Sequence, residues 1–183
     1  MRKNALAGLL TVLSLTASAA AAEPPGAGAT KQAFGWFGTL AGSCWRGEYA
    51  SGGGDTQCYT LQYGRYLRGT IAIDAAGKDG RPFKLAGDSV FEWDAANARI
   101  RYSNWADMGN LQHGEATYDG DLLRFPDVKS KDEEPRTRST WRRIDADSFE
   151  VTRERREGDV WQALFSVTYR RAAPVAPAGD SPR

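Results

Sequence analysis

The chain contains few of the residues that build metal centres. Its 183 residues include two cysteines, one histidine and two methionines. Zinc sites built from several Cys and His residues, and covalent haem attachment, need more of these ligands, so the sequence excludes both. An excess of one charge is also missing, because 24 Lys and Arg are balanced by 23 Asp and Glu. This balance argues against a protein that binds nucleic acid or an anionic membrane.

Sequence motifs of common enzyme classes are absent as well. The chain has no G-x-S-x-G, H-E-x-x-H, P-loop or dinucleotide-binding fingerprint. Gly52-Gly53-Gly54 is followed neither by a helical pattern nor by Lys-Ser/Thr, so we interpret it as a turn. The sequence alone therefore names no reaction.

Long hydrophobic runs are missing apart from one near the N-terminus. Met1-Arg2-Lys3 supplies positive charge, an apolar run spans residues 5–15, and small residues lead to Ala20-Ala21-Ala22. This order is typical of a secretory signal peptide, and the run is too short for a membrane span of about 20 residues. We therefore expect cleavage of residues 1–22 near Ala22 and a periplasmic or secreted protein without a membrane span.

Export affects the interpretation of the two cysteines. In an oxidising compartment, Cys44 and Cys58 are expected to form a structural disulfide. The alternative is a reactive thiol pair, although such pairs usually have the closer C-x-x-C spacing. A symmetric hairpin turn at Gly52-Gly53-Gly54 would place Cys44 near residue 62, so the bridge requires an asymmetric loop or a diagonal geometry.

Composition divides the rest of the chain into three segments. Residues 23–33 and 172–183 are rich in Pro, Gly and Ala and predict a flexible leader and a disordered tail. All 20 aromatic residues lie within residues 34–171, which are therefore the folding unit. Residues 33–40 predict one short helical turn before the first strand.

Ten runs of strand-forming residues alternate with turn residues in this unit. The connections carry the Gly, Asn, Asp or Ser residues that tight turns require. Near the C-terminus, period-2 alternation predicts that five residues share one face: Trp161, Ala163, Phe165, Val167 and Tyr169. The ten runs are 43–50, 56–63, 66–74, 83–94, 99–105, 111–118, 122–126, 136–144, 149–156 and 160–170.

This spacing predicts an all-β fold, an antiparallel meander of about ten strands. Closure into a barrel removes the two exposed edges that an open sheet would have. A barrel of this size has a lumen that can hold a small ligand. A β-sandwich is the structural alternative, but the regular hairpin spacing and the lack of long crossovers favour the barrel.

Several motifs resemble lipocalin-like barrels. The first is Leu40-Ala41-Gly42-Ser43-Cys44-Trp45-Arg46-Gly47-Glu48, which resembles the L-x-G-x-W-x-G opening of that group with one extra residue before Trp45. Three later segments look like the same group: 91–94, 105–109 and 168–171. The resemblance is to calycin-type bacterial exported domains of unknown function and, more distantly, to nitrobindin and fatty-acid-binding barrels. It implies a lipocalin-like barrel with a short N-terminal helical turn.

The resemblance also implies a structural role for the early tryptophan. In lipocalin-like barrels this residue commonly closes one end and stacks on a basic residue of the last strand. Carried over, Trp45 would stack on Arg170 or Arg171, a cation–π contact worth about 0.5–2 kcal/mol. This role identifies no ligand.

His113, the only histidine, lies in a predicted strand and shares one face with Glu115. It is a candidate axial haem ligand or general base in the lumen, and Glu115 or Asp107 are candidate partners for acid–base work. A solvent-facing or hydrogen-bonded histidine is the commoner alternative. Nitrobindin-like proteins bind haem through one histidine, so haem is the alternative to our expectation of no cofactor.

Arginines are concentrated between residues 136 and 156, interleaved with acidic residues. Cross-strand ion pairs on a solvated face explain this pattern. A single arginine pointing inward would instead anchor an acidic ligand group, with Arg138 as the first choice. Alternation places Arg138 and Trp141 on opposite faces of one strand and leaves open which face lines the lumen.

Together these features predict a binding module. An exported, disulfide-closed barrel would hold a small apolar or amphipathic ligand, with aromatic burial contributing about 25 cal/mol per Å². One alternative is a lyase or isomerase on the same barrel that uses His113 with Glu115 or Asp107. The other is an envelope interaction domain with a filled core. The residues expected to line the ligand site are Tyr102, Trp105, His113, Trp141 and Arg138.

Overall fold

Ten strands follow one another along the chain, as the turn spacing predicted. A computed structural model describes residues 27–77, 80–127 and 136–172. The expected signal peptide and the tail from residue 173 onward lie outside the described residues. The elements are α1 (Ala27–Ala33), a 3-10 helix (Gly35–Leu40), β1 (Ser43–Glu48), β2 (Gly53–Gln62), β3 (Tyr66–Ala76), β4 (Pro82–Asp94), β5 (Arg99–Ala106), β6 (Leu111–Asp119), β7 (Leu122–Pro126), β8 (Thr137–Arg143), β9 (Ser148–Glu157) and β10 (Val160–Arg171).

The strands form one closed antiparallel barrel. Each strand pairs with its neighbours in sequence, and β1 pairs with β10 to complete the ring. Tight turns join the strands, as at Gly158, which adopts a φ of 62° that glycine reaches without a Cβ penalty. This meander is the predicted architecture and is compatible with a lipocalin-like fold. In the described residues, no helix is long and apolar enough to cross a membrane.

Cys44 and Cys58 form the expected disulfide, which joins β1 to β2. The two residues are direct partners in the strand register, with Cα atoms 3.9 Å apart. The expected asymmetric loop is not needed, because the turn is centred near Ser51 and not within the three glycines. Gly54 belongs to β2 and pairs with Glu48.

β10 contains a β-bulge that the alternation pattern does not show. The register with β9 shifts between Ala163 and Phe165, and a slip of one residue exchanges the faces of a strand. Tyr169 is therefore buried in the barrel, whereas Trp161 lies on the outer face. There the Arg138 guanidinium is 4.1 Å from the centroid of its ring. The prediction of one shared face was wrong for this reason.

The two N-terminal helices close one end of the barrel. Phe37, on the 3-10 helix, is fully buried. Four lumen rings surround it at centroid distances between 5.0 and 6.1 Å, those of Tyr59, Phe91, Phe125 and Trp141. Edge-to-face contacts of this kind are favourable for aromatic pairs. We call this end of the barrel the plug end.

Hydrogen bonds attach the helices to the barrel. The Tyr118 hydroxyl donates to the carbonyl of Phe34 (2.7 Å) and accepts from the backbone N–H of Phe37 (3.3 Å). In α1, the Thr30 hydroxyl donates to the carbonyl of Gly64 (2.5 Å). The predicted helical turn is thus accompanied by a second helix, over residues 27–33, in part of the segment expected to be a flexible leader.

Trp45 fills the barrel beside the plug. It is 1% exposed, and its Nε1 donates to the carbonyl of Leu40 (3.3 Å). The Arg171 guanidinium lies 4.5 Å from the centroid of the indole, and Asp147 pairs with that guanidinium at 2.8 Å. Of the two arginines that the resemblance implied, Arg171 is the one that stacks, while Arg170 is exposed.

Candidate functional site

A cavity of about 680 Å³ occupies the half of the lumen away from the plug end. The plug fills the other half, so the hollow part lies toward the β3–β4 and β5–β6 turns. Its volume is in the range of small-molecule binding sites. The lining combines aromatic, aliphatic and polar side chains from strands β2 to β9.

Five aromatic rings form the floor of the cavity. They are Tyr59, Phe91, Tyr102, Phe125 and Trp141. Neighbouring rings in this set have centroid distances between 5.1 and 6.4 Å. A Cβ at Gly114 would stand 2.3 Å from the Tyr102 hydroxyl, so this ring position requires a glycine on β6. The floor therefore presents apolar ring faces and edges to the lumen.

One wall of the cavity carries an arginine whose partners belong to the protein. Arg153 contacts both carboxylate oxygens of Asp127, with Nη1 3.0 Å from Oδ1. The guanidinium also donates to Ser139 (3.1 Å) and Thr137 (3.2 Å), and Thr137 donates to Asp127 (2.7 Å). A bidentate pair is the strongest arrangement of these two groups. The four side chains together carry no net charge.

A second polar network is buried between β1, β2 and β10. Asp55 is 3% exposed, and its Oδ2 accepts hydrogen bonds from Tyr49 and Tyr169, both at 2.9 Å. Tyr59 donates to Gln57 at 2.6 Å, and Gln57 approaches Asp55 at 3.5 Å. Burial raises the pKa of the Asp55 carboxyl, and the phenol hydrogen bonds offset part of this rise. Gln57 and Tyr59 connect this network to the cavity lining.

The structure separates the predicted ligand residues of β5, β6 and β8. Tyr102 and Trp141 belong to the cavity floor. Trp105 and His113 border the cavity but lie on the outer face of the β5–β6 pair, and both are exposed. The register explains this, because Tyr102 faces Gly114 inside the barrel. Trp105 and His113 stand an odd number of residues from this pair along their strands, so they point outward.

Arg138, the first choice for an inward arginine, lies on the outer face of β8. Its guanidinium pairs with Glu154 at 2.6 Å and stacks on Trp161. Burial would raise the pKa of Glu154, but hydrogen bonds from Arg138 and Thr140 outweigh burial and lower it below the usual range. These contacts link β8 to β9 and β10 on the outside of the barrel and do not reach the lumen.

Among the described residues, the arginine that lines the cavity is Arg153 and not the predicted Arg138. On β9 it follows Phe149 and Val151 at intervals of two residues. Phe149 and Val151 alternate with polar residues in the sequence, so extending their face by one step identifies Arg153. Its partner Asp127 comes from the end of β7, which no local pattern connects to β9.

The three candidates for acid–base chemistry have structural partners outside the lumen. His113 Nδ1 lies 2.8 Å from the Ser103 hydroxyl, and Glu115 pairs with Arg99 at 2.5 Å. Asp107, in the β5–β6 turn, accepts a hydrogen bond from a backbone N–H of β4 at 3.2 Å. Among the residues that the structure describes, no three His, Cys, Asp or Glu side chains are placed to hold a metal ion.

Comparison with known proteins finds no family model that matches the chain and no curated protein that matches it. The functional conclusion therefore depends on the barrel and its contents. These are an aromatic floor, a neutral ion-pair cluster on one wall and a buried carboxyl network beside another.

Proposed function

We propose that this protein binds a small apolar or amphipathic molecule in the lumen of its barrel. The observation that carries the proposal is the cavity of about 680 Å³ above an aromatic floor. The cavity opens to solvent, so a small molecule can enter it, and its size is that of small-molecule binding sites. The rings would supply apolar burial, worth about 25 cal/mol per Å², and the polar walls would orient the ligand.

The predicted export fits a carrier of small molecules. The Cys44–Cys58 disulfide and the signal-peptide pattern of residues 1–22 favour a periplasmic or secreted protein. The opening motif resembles lipocalin-like barrels, a group that includes fatty-acid-binding proteins. We assign no catalysis, and His113 supports no haem ligation inside the barrel because it lies on the outer face.

Filling the cavity tests the proposal. Ala106 lines the cavity from β5, so Ala106→Leu should occupy part of the space that a ligand needs. Ala72 is exposed on the outer face of β3, so Ala72→Leu is the matched control. The neutral dye Nile red should bind saturably, with affinity about tenfold weaker in Ala106→Leu and unchanged in Ala72→Leu. Fluorescence titration measures the dissociation constants of both variants. Equal binding by the two variants, or no saturable binding, contradicts the proposal.

A further inference from the structure

Three uncharged polar side chains form a row across β4, β5 and β6. The strand register pairs Ser89 with Asn104 and Asn104 with Gln112, and all three residues line the cavity. Directly opposed residues of antiparallel strands have Cβ atoms about 4.5–5.5 Å apart, so the row extends over about 10 Å across the three strands. We call Ser89, Asn104 and Gln112 the polar row.

The polar row is not satisfied by the protein itself. Within the described part of the chain, none of its three side chains has a hydrogen-bond partner, and the Oδ1 atom of Asn104 is buried without one. An Asn side chain offers two donor hydrogens and an acceptor oxygen. Buried polar groups in native proteins are nearly always paired, so the Asn104 amide oxygen is free to accept a hydrogen bond from a molecule in the cavity.

Aromatic rings lie directly below the polar row. Phe91 and Tyr102 are paired across β4 and β5, each two residues closer to the plug end than Ser89 and Asn104. Two residues of a strand span about 7 Å. A planar ring resting on these two side chains would therefore bring its edge to the row.

The charged groups around the cavity already have partners. Two guanidinium nitrogens of Arg153 bind the two carboxylate oxygens of Asp127, and the Asp88 carboxylate pairs with Arg68 at 2.5 Å. A ligand carboxylate would have to displace Asp127 from Arg153, and a ligand amine would have to displace Arg153 from Asp127. An uncharged ligand breaks neither contact, and removing one member of a partly buried pair is costly.

We propose that the polar row recognises the hydrogen-bonding edge of an uncharged planar ligand, such as an aromatic amide or a hydroxylated ring compound. This inference rests on the proposed function and adds the chemical class of the ligand. The ring rests on Phe91 and Tyr102, and its amide or hydroxyl group bonds to Asn104 and its two neighbours. Long-chain carboxylates and amines are the ligands that this arrangement disfavours.

Three probes with the same ring test the class. They are 1-pyrenecarboxamide, 1-methylpyrene and 1-pyrenecarboxylate, which offer an uncharged polar, an apolar and an anionic substituent. Fluorescence titration should show the carboxamide binding about tenfold more tightly than the other two, as expected for one or two added hydrogen bonds.

Asn104→Leu, which nearly keeps the side-chain shape, should weaken carboxamide binding about tenfold and leave 1-methylpyrene binding unchanged. Thr70→Leu, exposed on the outer face of β3, is the control and should change neither.

The outcomes separate this inference from the proposed function. Equal affinity for carboxamide and 1-methylpyrene, or unchanged carboxamide binding by Asn104→Leu, overturns the polar row but leaves lumen binding in place. Tightest binding of the carboxylate, lost in Arg153→Met, also overturns it and assigns recognition to Arg153. No saturable binding of any probe overturns both proposals. Ser89→Ala, which removes one hydroxyl, should weaken carboxamide binding about threefold. This variant replaces Asn104→Leu in the test if Asn104→Leu does not fold.

Discussion

Asp55 is a carboxylic acid placed inside the barrel with only one of its oxygens bonded. Oδ2 accepts from two phenols, whereas Oδ1 is buried without a partner in the described residues. Burial disfavours the charged form, and the two hydrogen bonds recover only part of its solvation, so the pKa is raised. The folded protein therefore keeps this proton at pH values where the unfolded chain has lost it.

Asp55→Asn should become more stable relative to the wild type as pH rises. Asn keeps an acceptor oxygen for Tyr49 and Tyr169 but has no proton to lose. In the wild type, the stability that the protonated Asp55 carboxyl contributes is fully present below the unfolded pKa, about 3.9. It is lost as pH rises through the raised folded pKa. Thermal denaturation should show the difference in Tm, variant minus wild type, growing as pH rises above about 4. A difference in Tm that stays constant with pH for Asp55→Asn would contradict the assignment.

For single residues of the site, the alternation of side chains along a strand predicts which residues share a face and nothing more. It identified Trp141 and Arg138 as members of opposite faces but could not say which face is inside. That choice is made by a distant contact, because Phe37 enters from the plug end and packs on Trp141 at 5.7 Å. The pairing of Arg153 with Asp127 depends in the same way on the barrel bringing β7 close to β9.

The strands themselves were predicted well, because turn residues mark both of their ends. β7 (Leu122–Pro126) begins and ends at the predicted residues, and β3 (Tyr66–Ala76) exceeds its prediction by two residues. The bulge in β10 was not predicted, because a bulge is a property of the pairing between two strands. The residues around Leu164 continue a regular pattern in one strand while the register with β9 shifts.

Phe37→Ala should strongly destabilise the barrel, because the 3-10 helix (Gly35–Leu40) closes its end mainly through this ring. Removing a fully buried Phe typically costs about 3–5 kcal/mol, and four lumen rings would lose their contact here. Phe37→Leu keeps much of the volume and should lose about 1–2 kcal/mol. Chemical denaturation measures both free energies of unfolding. A loss below about 1 kcal/mol for Phe37→Ala would show that the plug does not stabilise the barrel.

Closure of the whole barrel depends on a short seam between its first and last strands. β1 and β10 share three residue pairs, from Trp45–Arg171 to Gly47–Tyr169. A Cβ at position 47 would stand 2.7 Å from the Tyr169 ring. This ring can therefore lie across the seam because residue 47 is a glycine. The same β1 pairs with β2 over six residue pairs, and the disulfide links these two strands. The firm pairing with β2 thus holds β1 in place for its weaker contact with β10.

Removing the disulfide should therefore weaken the seam before the rest of the barrel. A link between residues 14 apart contributes about 3 kcal/mol in the chain-entropy model. In the double variant Cys44→Ser/Cys58→Ser, chemical denaturation should show a free energy of unfolding lower by about 2–4 kcal/mol. Hydrogen exchange should accelerate most in β1 and in the residues of β10 that pair with it, and less in β4 and β5. The wild type in reducing agent should behave like the double variant, because both lack the same covalent link. Unchanged stability, or an equal rise in exchange over all strands, would show that the seam closes independently of the disulfide.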